Sequence, residues 1–260
     1  QIHSGRVRSE HNQIFQKDIL ESVKLGFINC HAGLLPFYRG RNILNWALIN
    51  GEKEFGVTVH HIDEGIDTGD IILQQKMEIT EKDDYGIILN KAYDLCANTL
   101  TNALGLIVSG KAPRIPQSSI HPVGFYCGRR QIGDEYIDWN WSSQRIYNFI
   151  RGISKPGPGA RIIAENQEYI AWKAEIIDEA PSYIATNGEI VSRDEQGIIV
   201  KTGDATIKLT MISLAAETQK EMDILDRRFK IGTRFINRDR WQLDLCIEEV
   251  NKMKKLLETT

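Results

Sequence analysis

Apolar and polar residues in the first half of the chain follow patterns that predict alternating strands and helices. "GVTVHHID" (residues 56–63) is β-branched and alternating, "DIILQQKMEI" (70–79) is a second apolar strand, and the loop "EGIDTGD" joins them. "NILNWALIN" (42–50) has the spacing of an amphipathic helix, and a long helix is predicted from Thr80, capped with the help of Asp83, to about Val108. These elements predict an α/β domain.

The segment "QKDILESVKLGFINCHAG" predicts a short helix with Ile19, Leu20 and Val23 on one side, followed by a turn and an apolar strand. Asn29 and His31 then stand at the carboxyl end of that strand. Because side chains alternate along an extended backbone, both should face one side while the intervening cysteine faces the other. In an open α/β sheet, the carboxyl ends of strands meet at the crevice where ligands bind.

Short strands dominate the second half of the chain. A helix is predicted in "SSQRIYNFIRGI" (142–153), with Ser142 or Ser143 as its cap, and "SKPGPGA" (154–160) is typical of a domain boundary. Five turn-punctuated strands then predict a small barrel or sandwich, and a helix is predicted in "QLDLCIEEVNKMKKLLE" (242–258). We therefore predict two domains, 1–154 and 155–260.

Composition narrows the function classes. The 260 residues contain 42% hydrophobic and 26% charged residues, with no run near the roughly 20 apolar residues of a membrane-spanning helix and no secretory signal. The four cysteines are scattered without a CxxC pair, which argues against a zinc site or a disulfide framework. We expect a soluble cytoplasmic protein with no metal and no membrane partner. The net charge of −3 gives no overall attraction to a polyanion.

Asn29, His31 and Asp67 are the candidate catalytic residues. An amide donor, an imidazole and a carboxylate together suit the transfer of an acyl group to an amine, because the amine is itself the nucleophile. Asn29 would stabilise the developing oxyanion, and His31 would accept a proton from the amine. Asp67 would orient the imidazole and raise its basicity.

Two linked motifs carry a family resemblance. "NCHAGLLPFYRGRNILNWALINGE" followed by "GVTVHHIDEGIDTGDII" closely resembles the 10-formyltetrahydrofolate-dependent formyltransferases, and Asn29, His31 and Asp67 match that family's catalytic residues. The resemblance implies a Rossmann-like formyltransferase catalytic domain, with 10-formyltetrahydrofolate as formyl donor. "VSRDEQGIIVKTGDATIKL" resembles the family's small β-barrel, OB-like C-terminal domain. Since the family has a long run before the catalytic asparagine, we expect the start of the catalytic domain to be missing here.

The acceptor amine divides this family. "YCGRRQIGDEYIDW" resembles the Gly-Arg-Arg stretch of enzymes that formylate nucleotide-linked amino sugars for cell-surface glycans such as lipopolysaccharide. Arg39, Arg129 and Arg130 are candidate substrate-binding residues, because an arginine can hold a diphosphate through charge-assisted hydrogen bonds, although arginines beside loops are as often surface residues. From Lys155 onward acidic residues slightly outnumber basic ones, whereas a tRNA-binding domain should be basic.

We thus expect an amino-sugar formyltransferase, with methionyl-tRNA formyltransferase as the alternative. The least favoured reading is a non-catalytic folate- or nucleotide-binding module. The resemblance favours a homodimer but does not fix the oligomeric state. His60 and His61 lie in the strand before the loop, and we assign them structural roles because no metal-ligand pattern accompanies them.

Overall fold

A computed structural model describes residues 20, 22–23, 26–215 and 229–258. The predicted helix before Gly26 lies largely outside these residues. In chain order, the strands and helices are β1 (Ile28–His31), β2 (Arg39–Gly40), α1 (Ile43–Ile49), β3 (Glu54–His61), β4 (Ile71–Glu78), α2 (Tyr85–Val108), α3 (Gln117–Ile120), β5 (Tyr126–Cys127), α4 (Ser143–Gly152), β6 (Ala160–Ala164), β7 (Gln167–Ile176), β8 (Ile190–Arg193), β9 (Ile198–Lys201), β10 (Thr206–Leu214) and α5 (Arg238–Glu258). The predicted strand–loop–strand and both helices around it are confirmed.

The described residues form two compact units. The first contains residues up to Ile43, Glu54–Glu78 and Asn90–Arg129, and the second contains Leu44–Lys53, Ile79–Leu89 and everything described from Arg130 onward. No described helix is both long enough and apolar enough to cross a membrane.

A three-stranded sheet in the order β1–β3–β4 forms the centre of the first unit, and its strands are antiparallel. The β-branched residues of β3 suit the interior of this sheet, since Val57, Thr58 and Val59 are fully buried. Val59 packs with Ile72 of β4 and Ala103 of α2 on one face of the sheet. On the opposite face, Thr58 pairs with Gln74 and His60 pairs with the buried Ile71, so this face is partly polar. Separately, β2 and β5 form a short parallel pair.

Helix α2 begins later than the sequence pattern predicts. Thr80 and Asp83 form a turn, in which the Thr80 N–H donates to the Asp83 carboxylate at 2.7 Å. The helix cap is instead Asp84, whose Oδ1 accepts the Ile87 N–H at 3.0 Å. Farther along, Leu104 is 45% exposed although the pattern placed it on the apolar side, because the buried stripe runs through positions 92, 95, 99 and 103.

The second unit is built on a five-stranded antiparallel sheet in the order β6–β7–β10–β9–β8. Residues 234 and 236 form bridges to Glu189 and Ile163, which lie next to β8 and in β6, so one short segment links both edges of the sheet. The sheet packs against α4 through a core that includes Ile146, Phe149 and Ile150, as predicted. Ser142 caps α4 by accepting the Arg145 N–H. The OB-like topology stays a prediction.

Candidate active site

Direct strand pairing brings the candidate polar residues to one face of the first sheet. In the antiparallel pair of β1 and β3, Asn29 lies opposite His60, and His31 lies opposite Thr58. Because alternate residues share a face, these four side chains are neighbours, while Cys30 packs on the α2 side. We expected the meeting point to be the carboxyl ends of strands in an open α/β sheet. The observed strands are antiparallel, and the register of β1 against β3 brings these side chains together instead.

Asp67 reaches this face from the loop between β3 and β4. Its backbone is left-handed, with φ of 54°, a conformation that aspartate tolerates better than most residues. Within the same loop, Asp63 Oδ1 accepts hydrogen bonds from the Gly65 N–H at 3.1 Å and from the Thr68 hydroxyl at 2.5 Å. Gly69 lies so close to His61 that any Cβ would stand 1.9 Å from its carbonyl oxygen. The loop is therefore tightly closed.

The Asp67 carboxylate is the centre of the polar cluster. Its Oδ1 accepts from Asn29 Nδ2 at 3.3 Å, and its Oδ2 accepts the Gly40 backbone N–H at 2.9 Å. His31 Nδ1 lies 3.5 Å from Oδ2, and His60 Nε2 lies 3.6 Å from Oδ1. The structure thus brings Asn29, His31 and Asp67 together, and it adds His60.

A backbone carbonyl fixes the His31 ring. His31 Nε2 lies 2.7 Å from the Tyr38 carbonyl oxygen, which can only accept, so Nε2 carries the hydrogen in the neutral ring. Nδ1 is then the basic nitrogen, and it faces Asp67. Gly33 permits this packing, because a Cβ there would lie 2.6 Å from Nε2. Thr58 holds the same turn by donating its hydroxyl to the Gly33 carbonyl at 2.6 Å.

Burial and charge together favour a neutral base beside an ionised acid. Burial lowers the pKa of His31, while Asp67 and the Tyr38 carbonyl oppose that shift and His60 adds to it. For Asp67, burial disfavours ionisation, but His60, His31 and the Gly40 N–H outweigh it and lower the pKa to about 2. At neutral pH, His31 can therefore accept a proton at Nδ1, and the adjacent carboxylate would stabilise the resulting imidazolium.

His60 lies in the site although we assigned it a structural role. Its side chain is 2% exposed, and its Nδ1 lies 2.7 Å from the His61 carbonyl oxygen, so Nδ1 donates and, in the neutral ring, Nε2 can accept. Nε2 lies 3.4 Å from Asn29 Nδ2. The Asn29 amide therefore makes two long contacts, one with His60 at 3.4 Å and one with Asp67 at 3.3 Å. Such loose contacts leave the amide able to turn a hydrogen to an incoming carbonyl oxygen.

The three candidate arginines occupy different surroundings. Arg39, in β2, donates from Nε and Nη2 to the Gln117 side-chain oxygen at 3.1 and 2.6 Å. Arg129 is exposed in the same unit. Arg130 belongs to the second unit, where its side chain is 8% exposed and lies 3.3 Å from Glu135. Their role in substrate binding stays a prediction.

Comparisons with known proteins cover both units. The family model described as "Formyl transferase" matches residues 7–104, and the one described as "Formyl transferase, C-terminal domain" matches residues 131–227. The methionyl-tRNA formyltransferase of Pelotomaculum thermopropionicum is 39% identical over 78% of this chain, which spans 64% of that protein. That of Ruminiclostridium cellulolyticum is 35% identical over 87% of this chain and 72% of its own length.

A solved structure shows the same fold. The N-formyltransferase of Helicobacter canadensis, in complex with folinic acid and dTDP-3-aminofucose, superposes with a TM-score of 0.62. The match covers 77% of this chain and 71% of that one, at 24% identity, which supports the fold alone.

The prediction of an amino-sugar acceptor is wrong. Relatives that are 34–39% identical over most of the chain are named methionyl-tRNA formyltransferase, and the sugar enzyme is more distant. Two inferences misled us. The resemblance of the Gly-Arg-Arg stretch did not separate the two acceptors, since Arg130 has an ion-pair partner, Glu135, at 3.3 Å in any case. A summed charge also hides local basic patches, which are what a nucleic-acid backbone contacts.

Proposed function

The chain belongs to the formyl transferase family, and we propose that it transfers a formyl group from 10-formyltetrahydrofolate to the amino group of methionyl-tRNA. The observation that supports this chemistry is that Asn29 and His31 both lie beside the Asp67 carboxylate. The name shared by relatives 34–39% identical to this chain supports methionyl-tRNA as the acceptor.

Each residue of the cluster has a distinct task in this reaction. 10-Formyltetrahydrofolate would supply the formyl group: the amine would attack its carbonyl carbon, the bond from that carbon to the folate nitrogen would break, and that nitrogen would leave as tetrahydrofolate with the proton that His31 had taken from the amine. An N–H of Asn29 turns from its long contact to the developing oxyanion, and the loss of such a donor typically costs about 10²–10³-fold in rate. His31 Nδ1 takes the proton from the attacking amine, which contributes about 10²–10⁴-fold. The Asp67 carboxylate, 3.5 Å away, stabilises the imidazolium that forms.

Neutral His31 fits this role at physiological pH. A base must be unprotonated to act, and burial keeps the pKa of His31 below its ordinary value. No covalent enzyme intermediate is required, because the acceptor amine is the nucleophile. The fixed Nε2–Tyr38 contact leaves Nδ1 as the nitrogen that takes part.

The test is formylation of methionyl-tRNA by the purified chain. The protein is incubated with methionyl-tRNA and 10-formyltetrahydrofolate, and N-formylmethionine is measured by mass spectrometry after the ester is hydrolysed. We expect formylation by the wild type and a loss of at least about 100-fold in His31→Gln. His121→Gln is the matched control, because His121 is exposed and the described hydrogen bonds of its ring go to Val123, while its ring also lies 5.2 Å from that of Phe37. A folded wild type that leaves methionyl-tRNA unformylated would refute the proposed function.

Binding of the proposed partner provides a second measurement. If tRNA phosphates are contacted, the affinity should fall steeply as salt rises, because binding releases condensed counterions. A filter-binding series in increasing potassium chloride measures how steeply the affinity falls with salt. The same series with tRNA that carries no methionine separates phosphate contacts from recognition of the methionyl group. An affinity that does not change with salt would argue against a tRNA partner.

A further inference from the structure

Gln117 makes four short hydrogen bonds next to the catalytic cluster. It opens the short helix α3 and is 4% exposed. Its Nε2 donates to the backbone carbonyls of Asp67, at 2.8 Å, and Gly69, at 2.9 Å. Its Oε1 accepts Nε and Nη2 of Arg39 at 3.1 and 2.6 Å. Both hydrogens of the amide and its oxygen are therefore committed.

These bonds close a ring of contacts around Asp67. On one side, Gln117 holds the backbone of the loop at the residue whose φ is 54°. On the other, it holds Arg39, and the next residue, Gly40, donates its N–H to the Asp67 carboxylate at 2.9 Å. Backbone and carboxylate of Asp67 are thus tied to the same side chain by two routes. A left-handed residue in a loop needs such restraints to persist.

We propose that Gln117 is a positioning residue that holds the Asp67 carboxylate against His31 and Asn29. The proposal rests on the proposed function, since it concerns the same reaction. Only an amide serves here, because it must donate to two carbonyls and accept from a guanidinium at once. A glutamate would keep the Arg39 contact but would set its oxygens against the Asp67 and Gly69 carbonyls. A methionine of similar length would lose all four bonds.

Loss of the restraint on Asp67 should lower the pKa of His31. Two titratable side chains among the described residues face His31: Asp67 from the loop, which raises its pKa, and His60 from β3, which lowers it. When Asp67 moves away, the imidazolium loses its counter-charge and the pKa of His31 falls. The acidic limb of the pH profile of kcat/KM should then move to lower pH by at least about 0.5 unit. The maximal kcat should fall about tenfold, since the transition state loses the same support, while KM changes little.

The experiment compares Gln117→Met and Gln117→Glu with the wild type. Thr99→Val is the matched control, because Thr99 is also fully buried in the first unit and hydrogen-bonded to Gln75, yet it lies outside the cluster. We expect both Gln117 variants to shift the pH profile in the same direction and Thr99→Val to leave it unchanged. If Gln117→Glu kept the wild-type profile, the Arg39 contact alone would suffice and the proposal would be overturned.

A measurement without substrates separates this proposal from the proposed function. The pH titration of His31 by NMR, assigned by comparison with His31→Gln, reports the counter-charge whether or not the chain formylates tRNA. We expect a lower His31 pKa in the Gln117 variants, and an unchanged value in a folded variant would overturn the positioning role. In the wild type, the Gln117 side-chain amide should exchange slowly with solvent. Fast exchange would overturn the proposal even if neither variant folded.

Discussion

Replacing Asp67 with asparagine should move the acidic limb of the kcat/KM profile to lower pH. The substitution keeps the shape of the side chain and removes its charge. In the wild type, Oδ2 lies 3.5 Å from His31 Nδ1 and the Asp67 side chain is 14% exposed, so solvent screens the pair only partly. An opposite charge at this range raises the pKa of a histidine by about 1–3 units, which corresponds to about 1.4–4 kcal/mol.

The new amide strengthens the effect. An NH₂ group in place of Oδ2 can donate to the unprotonated Nδ1, which stabilises the neutral ring, at the cost of the hydrogen bond from the Gly40 N–H, and the amide oxygen can still accept from Asn29. Both changes favour neutral His31, so the limb should fall by at least about 1 unit. The maximal rate should also fall, because the imidazolium formed during proton transfer has lost its counter-charge.

Steady-state formylation measured over about four pH units, from 4.5 to 8.5, tests this prediction. The range spans the ordinary pKa of histidine, about 6.5. Asp63→Asn is the control, because Asp63 lies in the same loop but uses its carboxylate to accept from Gly65 and Thr68. We expect its profile to match the wild type. If the Asp67→Asn limb stays in place while the variant remains folded, Asp67 does not tune His31. The carboxylate would then contact the formyl donor or the amine instead.

Three further predictions concern the same cluster. Asn29→Ala should lower kcat and kcat/KM together by about 10²–10³-fold, with folate affinity by calorimetry unchanged; a rise in KM alone would show a ground-state role. His60→Leu should lower kcat about tenfold, the worth of one hydrogen bond, and His60→Gln, which keeps an acceptor, should retain most activity; equal losses would contradict this. Because the pKa of Asp67 is lowered from 3.8 to about 2, its ionisation stabilises the fold by about 2 kcal/mol above pH 4, and this is lost towards pH 2. Urea unfolding at pH 7 and pH 3 should show a smaller acid loss in Asp67→Asn than in the wild type.

Local sequence patterns predicted the elements that carry the site. Alternation in "INCH" placed Asn29 and His31 on one face, and the β-branched run of β3 is a strand as expected. Helix α4 and its Ser142 cap are also as predicted. Errors occurred where two local signals compete, as at α2, where Asp84 caps the helix instead of the Thr80 turn.

Contacts between distant segments could not be predicted in this way. His60 enters the site because register pairs it with Asn29, 31 residues away, and the choice between His60 and His61 depends on that register. Gln117 meets Asp67 across 50 residues, through a short helix that has no periodic signal. Adjacent residues of a strand face opposite sides, so one of the two neighbouring histidines in β3 had to face the same side as Asn29, and this was the available clue for His60. Nothing in the sequence marked Gln117.

The left-handed backbone of Asp67 restricts the routes by which this position can evolve. Glutamate would conserve the charge, and Glu165 and Glu179 adopt similar φ values in this chain, but its extra methylene would carry the carboxylate away from the Gly40 N–H, whereas asparagine conserves the reach of the side chain and loses the charge. Asn and Asp codons differ by one nucleotide, so a lineage that drifted to asparagine could regain the carboxylate with its loop intact. A lineage that drifted to glutamate would keep the charge but would have to rebuild the contacts that place it beside Gly40 and His31.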